Sequence, residues 1–203
     1  MNESCRINNG VILISEKIHK HGGKSSSEIL SASEVLKNVG LKSGDIFLDA
    51  GSGDGFISLE ASEIVGENGK VYAADVHKPS MDILRQKIEE KDLKNINPIL
   101  ADITSSIPVE NKSIDLYLTA NVFHGIVGNA ELDSTMKEIN RVLKDDGVLA
   151  IVEFIKEEGM PGPPMDVRLE PQDVLNNIEK YGFEEKEVKQ TGPYHYVVLA
   201  SKK

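Results

Sequence analysis

The stretch of sequence that decides the fold reads Ile46-Phe47-Leu48-Asp49-Ala50-Gly51-Ser52-Gly53-Asp54-Gly55-Phe56. It is typical of a short buried strand that ends on an acid, turns on three glycines and opens a helix. Glycine at these three positions allows backbone conformations with positive φ and a close approach to a ligand. The helix that begins at Gly55 would direct its unpaired N–H groups into the same crevice. A βα turn of this kind usually binds a nucleotide-like ligand at the carboxyl edge of a parallel sheet.

The position of the acid and the spacing of the glycines distinguish this turn from a dinucleotide fingerprint. That fingerprint requires G-x-G-x-x-G, whereas here the third glycine comes one residue early and Phe56 follows it. The pattern Asp-x-Gly-x-Gly-x-Gly, from Asp49 to Gly55, resembles motif I of the class I S-adenosylmethionine (SAM)-dependent methyltransferases. SAM carries a sulfonium and an ammonium whereas NAD carries a pyrophosphate, so a carboxylate beside the turn favours SAM. The alternative is a glycine-rich turn that serves packing alone.

Length and composition predict one globular α/β domain and argue against several other classes. The 203 residues are enough for a single domain with a real core and are short for two. A formal net charge of −10, with scattered lysines and arginines, disfavours a nucleic-acid partner. The single cysteine, Cys5, excludes an internal disulfide framework and a cysteine-rich metal site. No apolar run has membrane-spanning length and the N-terminus does not read as a signal peptide, so we expect a cytoplasmic protein.

Three predicted strands each end on an aspartate. Asp49 closes the first strand, Asp75 closes the second and Asp102 closes the third. Because the carboxyl ends of parallel strands meet at one edge of a sheet, we expect the three carboxylates to lie along one crevice. Asp75 also follows Gly55 by about 20 residues, which is where a strand-end carboxylate reaches ribose hydroxyls in such folds. Each aspartate taken alone could instead cap a following helix.

The order of the elements predicts a mostly parallel sheet that ends in an antiparallel hairpin. Strands and helices alternate as β-α-β-α-β-β-α-β up to residue 154. Segments 182–188 and 194–200 then read as two strands whose connection is so short that they must pair antiparallel. We therefore predict a Rossmann-like α/β fold of seven strands with helices on both faces, which is the pattern of the class I methyltransferases.

Two segments are expected to border the crevice within a single domain of residues 1–203. A helix capped by Ser25–Glu28 and ended by Gly40 makes residues 1–40 an N-terminal helical segment or lid. Residues 155–170 contain the stiff run from Met160 to Met165, which favours a loop over the active-site edge rather than a linker between domains.

The resemblance extends by motif over residues 40–154 and by topology over residues 155–203. The chain is similar to small-molecule methyltransferases of the group that includes the ubiquinone/menaquinone-biosynthesis enzymes. Besides motif I, this likeness is carried by residues 71–75, 101–103 and 138–147. Gly-Pro-Pro followed by Arg168 and Pro171 also looks like a loop found in part of this group. The resemblance implies transfer of a methyl group from SAM to a small acceptor, with S-adenosylhomocysteine as the second product.

The resemblance also implies how the chain holds the methionyl end of SAM. Asp49 and the backbone of Ala50, Gly51 and Gly53 would contact that end of the cofactor. Asn121, after the fourth strand, would contact SAM near its sulfonium, chiefly through the backbone.

The same resemblance implies a set of contacts to the nucleoside end of SAM. Asp75 would bind the 2′ and 3′ hydroxyls of the ribose, with Val76 beside the adenine. Asp102 would accept a hydrogen bond from the adenine amino group, and Ile103 would pack on the ring.

His124 is the best-placed candidate for a general base, if the acceptor has to lose a proton during transfer. The other interpretation is a partly buried histidine that shapes the pocket. The segment 121–124 lacks the prolines and tyrosine of the Asn/Asp-Pro-Pro-Tyr motif, which argues against amine and nucleobase acceptors of that type. His19 and His21 have no third ligand nearby and are expected in a solvated loop, so we predict no metal site.

Three functions remain open from the sequence. The first is a methyltransferase acting on a small, apolar or aromatic acceptor. The second is an NAD(P)-dependent oxidoreductase, which the glycine spacing and the terminal hairpin argue against. The third is a SAM-binding protein with a regulatory or assembly role and no turnover. The sequence leaves the acceptor atom and the oligomeric state open.

Overall fold

A seven-stranded sheet forms the centre of residues 25–203, the part of the chain described by the computed structural model. Its strands are β1 (Ile46–Ala50), β2 (Lys70–Asp75), β3 (Ile96–Leu100), β4 (Ile114–Ala120), β5 (Leu143–Phe154), β6 (Phe183–Thr191) and β7 (His195–Lys202). The helices are α1 (Ala32–Val39), α2 (Phe56–Val65), α3 (Lys78–Glu90), α4 (Phe123–Gly128), α5 (Leu132–Val142) and α6 (Pro171–Glu179). The predictions for Cys5, His19 and His21 lie outside the described residues.

The strands lie in the order β3-β2-β1-β4-β5-β7-β6. The first five of these pair in parallel, whereas β7 pairs antiparallel with both β5 and β6. The prediction of a mostly parallel sheet with an antiparallel C-terminal hairpin is confirmed. The chain reverses its direction across the sheet between β1 and β4, and ligands of open parallel sheets bind at such a point.

Successive residues of a strand point to opposite faces of the sheet, and each face is covered by helices. On β1, Phe47 joins an apolar cluster with residues of α1, α2 and α3, and Leu48 joins a second cluster with residues of α4, α5 and α6. On β4, Leu116 and Tyr117 divide between the same two clusters. Burial on both sides explains why these strands are continuous apolar runs, and it confirms the prediction of helices on both faces.

The predicted start of the first helix is wrong. The segment Ser25–Glu28 does not cap a helix, because the carbonyl of Ser26 closes only a single turn. Helix α1 begins later, at Ala32, since Ser31 is extended and its Oγ accepts a hydrogen bond from the N–H of Glu34 at 3.3 Å. Residues 25–30 are therefore a short turn before the helix, and this turn borders the cleft described below.

The connection between the last helix before residue 154 and the strand after it differs from an ordinary loop. Strand β5 begins at Leu143, directly after α5, and a β-bulge opposite β4 absorbs the additional residues before Val148. The short helix α4 has no counterpart in the sequence prediction. It follows β4 at once, so the end of the strand and the residue His124 lie beside the same edge of the sheet.

Candidate functional site

A cleft of about 550 Å³ opens at the carboxyl ends of the parallel strands. The sequence-predicted site residues that line it include His124 and, among the nine proposed for a cofactor, Asp49, Gly51, Gly53, Asp75, Val76, Asp102, Ile103 and Asn121. Ala50 is the exception, because its side chain is fully buried in the apolar cluster that contains Leu48. The three strand-end aspartates thus lie along one cleft, as expected from a parallel sheet.

The glycine turn has positive φ at each of its glycines, +86° at Gly51, +54° at Gly53 and +77° at Gly55. A Cβ atom on Gly51 would lie 2.6 Å from Cγ2 of Val122, and one on Gly55 would lie 2.4 Å from a methyl group of Leu84. A Cβ atom on Gly53 would meet no protein atom within 4 Å. Packing therefore explains two of the glycines, whereas Gly53 keeps its backbone open to the cleft.

We expect Gly51→Ala to destabilise the protein by about 2–3 kcal/mol, because the backbone is left-handed and the new methyl group overlaps Val122. Gly53→Ala is the matched control, with the backbone penalty alone, about 1 kcal/mol. Urea unfolding of both variants measures the difference. In a double-mutant cycle, Val122→Ala should recover the steric part of the loss. Equal losses for the two alanine variants would contradict this account of the turn.

Asp49 is a buried carboxyl group, with 2% of its surface exposed, in the wall of the cleft. Its Oδ2 accepts a hydrogen bond from Oγ of Ser58 at 2.6 Å. Burial raises the pKa of Asp49 from 3.8 to about 7; the bond from Ser58 opposes the shift and the charge of Asp75 adds to it. Among residues 25–203, no lysine or arginine lines the cleft. A positively charged ligand would therefore supply the partner that this carboxylate lacks.

Asp75 connects the end of β2 to the glycine turn. Its Oδ2 accepts a hydrogen bond from the N–H of Gly53 at 2.8 Å, and its Oδ1 accepts one from the N–H of His77 at 2.7 Å. The carboxylate is partly exposed to the cleft. It is thus fixed in place by the backbone while each oxygen can still accept from a ligand.

The remaining strand ends border the cleft in different ways. Asp102 is exposed, and its Oδ1 accepts from both N–H and Oγ1 of Thr104, at 2.9 and 2.6 Å. Ile103 is buried beside it, whereas Val76 is 42% exposed. These bonds close a local turn, and no helix lies between β3 and β4, so Asp102 does not cap a following helix.

Asn121 has a φ of +61°, which is uncommon for a residue with a side chain. Its N–H donates to the carbonyl of Val152, so contact with a ligand is left to its carbonyl or its side chain. The side-chain Nδ2 donates to Oγ of Ser26 at 3.1 Å, and this bond ties the turn at residues 25–30 to the cleft.

His124 is buried and paired with a carboxylate that the sequence analysis missed. Oε1 of Glu153 accepts from the backbone N–H of His124 at 3.0 Å, and Oε2 lies 2.8 Å from Nδ1 of the ring. The exposed fractions of the two side chains are 3% and 1%. The available signal was an acid within the otherwise apolar run from Val148 to Phe154.

The proline- and glycine-rich segment after β5 is organised by one buried arginine. Arg168 is 5% exposed, and its guanidinium lies 5.8 Å from the ring of Phe154. It donates to backbone carbonyls of Ile155, Glu157, Met160, Pro161 and Pro163. Gly162, Pro163 and Pro164 line the cleft. The same arginine therefore holds the wall of the cleft that the sequence analysis placed at residues 155–170.

Residues 25–203 contain no group of three or more histidine, cysteine, aspartate or glutamate side chains that could hold a metal ion. None of the helices in the same range has the length and apolar character needed to cross a membrane.

Comparison with known proteins assigns the family. A family model described as a methyltransferase domain matches residues 41–191. The crystal structure of a SAM-dependent methyltransferase from Aquifex aeolicus superimposes with a TM-score of 0.77 and 33% sequence identity, covering 85% of this chain and 90% of that one.

Two curated relatives have named activities. The ubiquinone/menaquinone biosynthesis C-methyltransferase UbiE of Shewanella piezotolerans is 30% identical over 60% of this chain and 47% of its own length. A probable cobalt-precorrin-6B C(15)-methyltransferase of Sulfolobus acidocaldarius is 27% identical over 68% of this chain and 66% of its own length. This chain therefore spans about half the length of the UbiE proteins that it matches.

The glycine turn, the order of the strands and the family match together make the chain a member of the methyltransferase-domain family, with the Rossmann-like fold of the class I SAM-dependent enzymes.

Proposed function

We propose that the protein binds SAM in the cleft and transfers its methyl group to a small-molecule acceptor. The observation that carries this proposal is the buried carboxyl group of Asp49 beside the glycine turn, in a cleft that no lysine or arginine of residues 25–203 lines. A sulfonium and an ammonium would complement that charge, and a pyrophosphate would be repelled by it. Membership of the methyltransferase-domain family supports the same cofactor.

The described residues fit the two ends of SAM. Asp49 and the backbone around Gly51 and Gly53 would hold the methionyl end, where the missing side chain of Gly53 leaves room for close approach. Ala50 would contribute through its backbone alone, since its side chain lies in the core. Asn121 would contact the cofactor near the sulfonium.

The nucleoside end would lie across the second and third strands. Asp75 would accept hydrogen bonds from the ribose hydroxyls, with Val76 beside the adenine. Asp102 would accept from the adenine amino group, and Ile103 would pack on the ring. The partly exposed Asp75 and the exposed Asp102 have oxygens that can accept these bonds in addition to the local ones.

The walls beyond the cofactor residues favour a small acceptor without negative charge. They are formed largely by apolar groups, including Ile29, Leu30, Phe154 and Pro163. The carboxylates of the cleft disfavour nucleic acid as the acceptor, because a phosphate backbone needs clustered positive charge.

A cytoplasmic location stays a prediction from the sequence.

When bound, SAM supplies an activated methyl group. The protein therefore has to position the acceptor against that methyl group and to keep water out of the cleft. In-line displacement is accelerated mainly by holding nucleophile, methyl carbon and sulfur in line in a site without water. The turn at residues 25–30 and residues 162–164 of the segment 155–170 line the cleft and would help to exclude water from it.

We expect Asp75→Ala to weaken SAM binding by roughly tenfold to a hundredfold, because a hydrogen bond to a charged group contributes about 1.5–3 kcal/mol. The substitution also removes the acceptor that holds the N–H of Gly53. Titration calorimetry with SAM measures the change. Asp115→Ala is the matched control, since Asp115 accepts from the N–H of Ile46 at the opposite end of the parallel strands. Equal affinity for wild type and Asp75→Ala would refute the proposed role.

Two measurements test the function as a whole. Thermal shifts with SAM, S-adenosylhomocysteine and NAD distinguish a SAM site from a dinucleotide site, and we expect stabilisation by the first two alone. Transfer of label from methyl-labelled SAM into a size-filtered metabolite extract then tests turnover. SAM binding without any labelled product would contradict the proposed methyltransferase activity. It would instead support a SAM-binding protein with another role.

A further inference from the structure

Helix α3 lies against the glycine turn, and the proposed cofactor contacts do not use it. Two of its fully buried side chains touch the turn, and neither of them lines the cleft. Oγ of Ser52 donates to Sδ of Met81 at 3.8 Å. A Cβ atom on Gly55 would lie 2.4 Å from a methyl group of Leu84, so that leucine fills the space beside this glycine. The apolar part of the helix therefore supports two residues of the turn from outside the cleft.

Lys87 lies one helical turn after Leu84 and extends the contact of α3 to Asp54. Its Nζ donates to Oδ2 of Asp54 at 2.9 Å and to the backbone carbonyl of the same residue at 3.2 Å. The two side chains are 33% and 21% exposed, so this ion pair is more shielded from water than the other ion pairs of α3. Because one ammonium holds both the side chain and the backbone, a rotation of the peptide group between Asp54 and Gly55 would break a bond.

The carboxylate of Asp54 depends on this lysine. Asp54 lines the cleft, but among residues 25–203 its Oδ1 is buried and accepts no hydrogen bond. A carboxylate that is shielded from water is costly unless an opposite charge compensates it. Lys87 provides that charge and does not itself line the cleft. The ion pair therefore satisfies the acid and leaves the space for a ligand free of the ammonium.

The opposite side of the turn is held by strand β2. The N–H groups of Gly51 and Ser52 donate to the carbonyl of Ala74, at 2.8 and 3.1 Å, and the N–H of Gly53 donates to Asp75. Strand β2 thus fixes the first half of the turn, whereas the contacts of α3 fix the second half.

We propose that Lys87 is a positioning residue for the methionyl end of SAM. By holding Asp54, its ammonium keeps the backbone around Gly53 in the conformation that the cofactor meets. This inference rests on the proposed function, since it concerns the same cofactor site. Lys87 acts through the turn and makes no contact of its own with the cofactor.

A purely electrostatic effect of the lysine would have the opposite sign. SAM is a net cation, so the removal of a nearby positive charge alone would strengthen its binding. The loss of a positioning contact would weaken binding instead. That contact should matter equally for SAM and S-adenosylhomocysteine, because the two share the amino-acid end. It should matter little for 5′-methylthioadenosine, which has the nucleoside and the thioether but lacks that end.

The test compares wild type with Lys87→Met, Lys87→Arg and a matched control, Lys144→Met. Methionine keeps most of the apolar stem and removes the ammonium, whereas arginine restores a charged donor for Asp54. The control is matched because the side chain of Lys144 is 34% exposed and pairs with Asp115, but at the opposite end of the parallel strands. Calorimetry measures the affinity of each protein for SAM, S-adenosylhomocysteine and 5′-methylthioadenosine, and urea unfolding measures the stability of each variant.

We expect Lys87→Met to bind SAM and S-adenosylhomocysteine roughly tenfold more weakly than wild type does, and 5′-methylthioadenosine within about twofold of wild type. Lys87→Arg should recover most of the lost affinity, and Lys144→Met should bind each ligand as wild type does.

Unchanged or stronger binding of SAM by Lys87→Met overturns the inference. An equal loss of affinity for all of the ligands also overturns it, because that result would indicate a general disturbance of the cleft. In both cases the proposed function stands as long as wild type binds SAM. A wild-type protein that fails to bind SAM overturns the proposed function itself.

Discussion

The Asp49→Asn variant should gain stability over the wild-type protein as the pH rises, by up to about 4 kcal/mol between pH 4 and pH 8. The reason is the buried carboxyl group, whose pKa rises to about 7 in the native state from an ordinary 3.8. Between these two pH values the native state binds more protons than the unfolded chain does. The free energy of unfolding therefore falls as the pH increases through this window and levels off above it. Asparagine does not titrate, so the variant escapes this loss.

Urea unfolding of both proteins at several pH values measures the difference in stability. Asp92→Asn is the control, because Asp92 is an exposed carboxylate paired with Lys94 on the surface, and an exposed ion pair contributes little to stability. A constant difference between Asp49→Asn and wild type from pH 4 to pH 8 would contradict the assignment of a buried, poorly compensated carboxyl group.

The same substitution should weaken SAM binding, although its stability relative to wild type increases with pH. If the carboxylate of Asp49 attracts the positive charges of SAM, its loss should reduce affinity by roughly tenfold to a hundredfold. The charge would then oppose folding in the free protein and favour the ligand, a conflict that is common in binding sites. Calorimetry at pH 8 tests this, and a variant that is more stable and binds SAM unchanged would exclude Asp49 from the cofactor site.

Arg168→Met should destabilise the protein by about 4 kcal/mol, an unusually large effect for one side chain outside an apolar core. Methionine fills much of the same volume, but it removes the guanidinium that donates to five backbone carbonyls of the segment 155–163. Of these, the carbonyl of Ile155 still accepts from the N–H of Glu157. Unsatisfied carbonyl groups that stay buried carry the full cost of desolvation. We also expect slower methyl transfer, because this segment forms one wall of the cleft.

Arg85→Met provides the comparison for this prediction. Arg85 is 44% exposed in its side chain and contributes one surface ion pair, with Asp82, so its loss should change stability by less than about 0.5 kcal/mol. Urea unfolding and limited proteolysis at residues 155–167 measure both variants. A similar small loss for Arg168→Met would mean that the segment holds its conformation without the guanidinium.

Much of the fold and part of the site were predictable because their signals are local. Continuous apolar runs that end on Asp49 and Asp75, with glycines directly after the first, indicate parallel strands buried on both faces. Once strands are parallel, their carboxyl ends share one edge, so the convergence of the aspartates follows from topology. The first helix was placed too early because both Ser26 and Ser31 are good capping residues, and only the backbone conformation distinguishes them.

The sequence by itself determined the succession of the strands along the chain, the glycine turn and the edge of the sheet on which the cleft opens, since these depend on patterns within a few residues. Tertiary structure alone decided which polar groups pair inside the protein. Glu153 meets His124 across neighbouring strand ends, and Arg168 reaches carbonyls as far back as Ile155. It also showed that packing against Val122 requires a glycine at position 51, whereas a Cβ atom at position 53 would meet no protein atom within 4 Å. Such pairings are set by the distance and burial that packing imposes, and no spacing along the chain encodes either quantity.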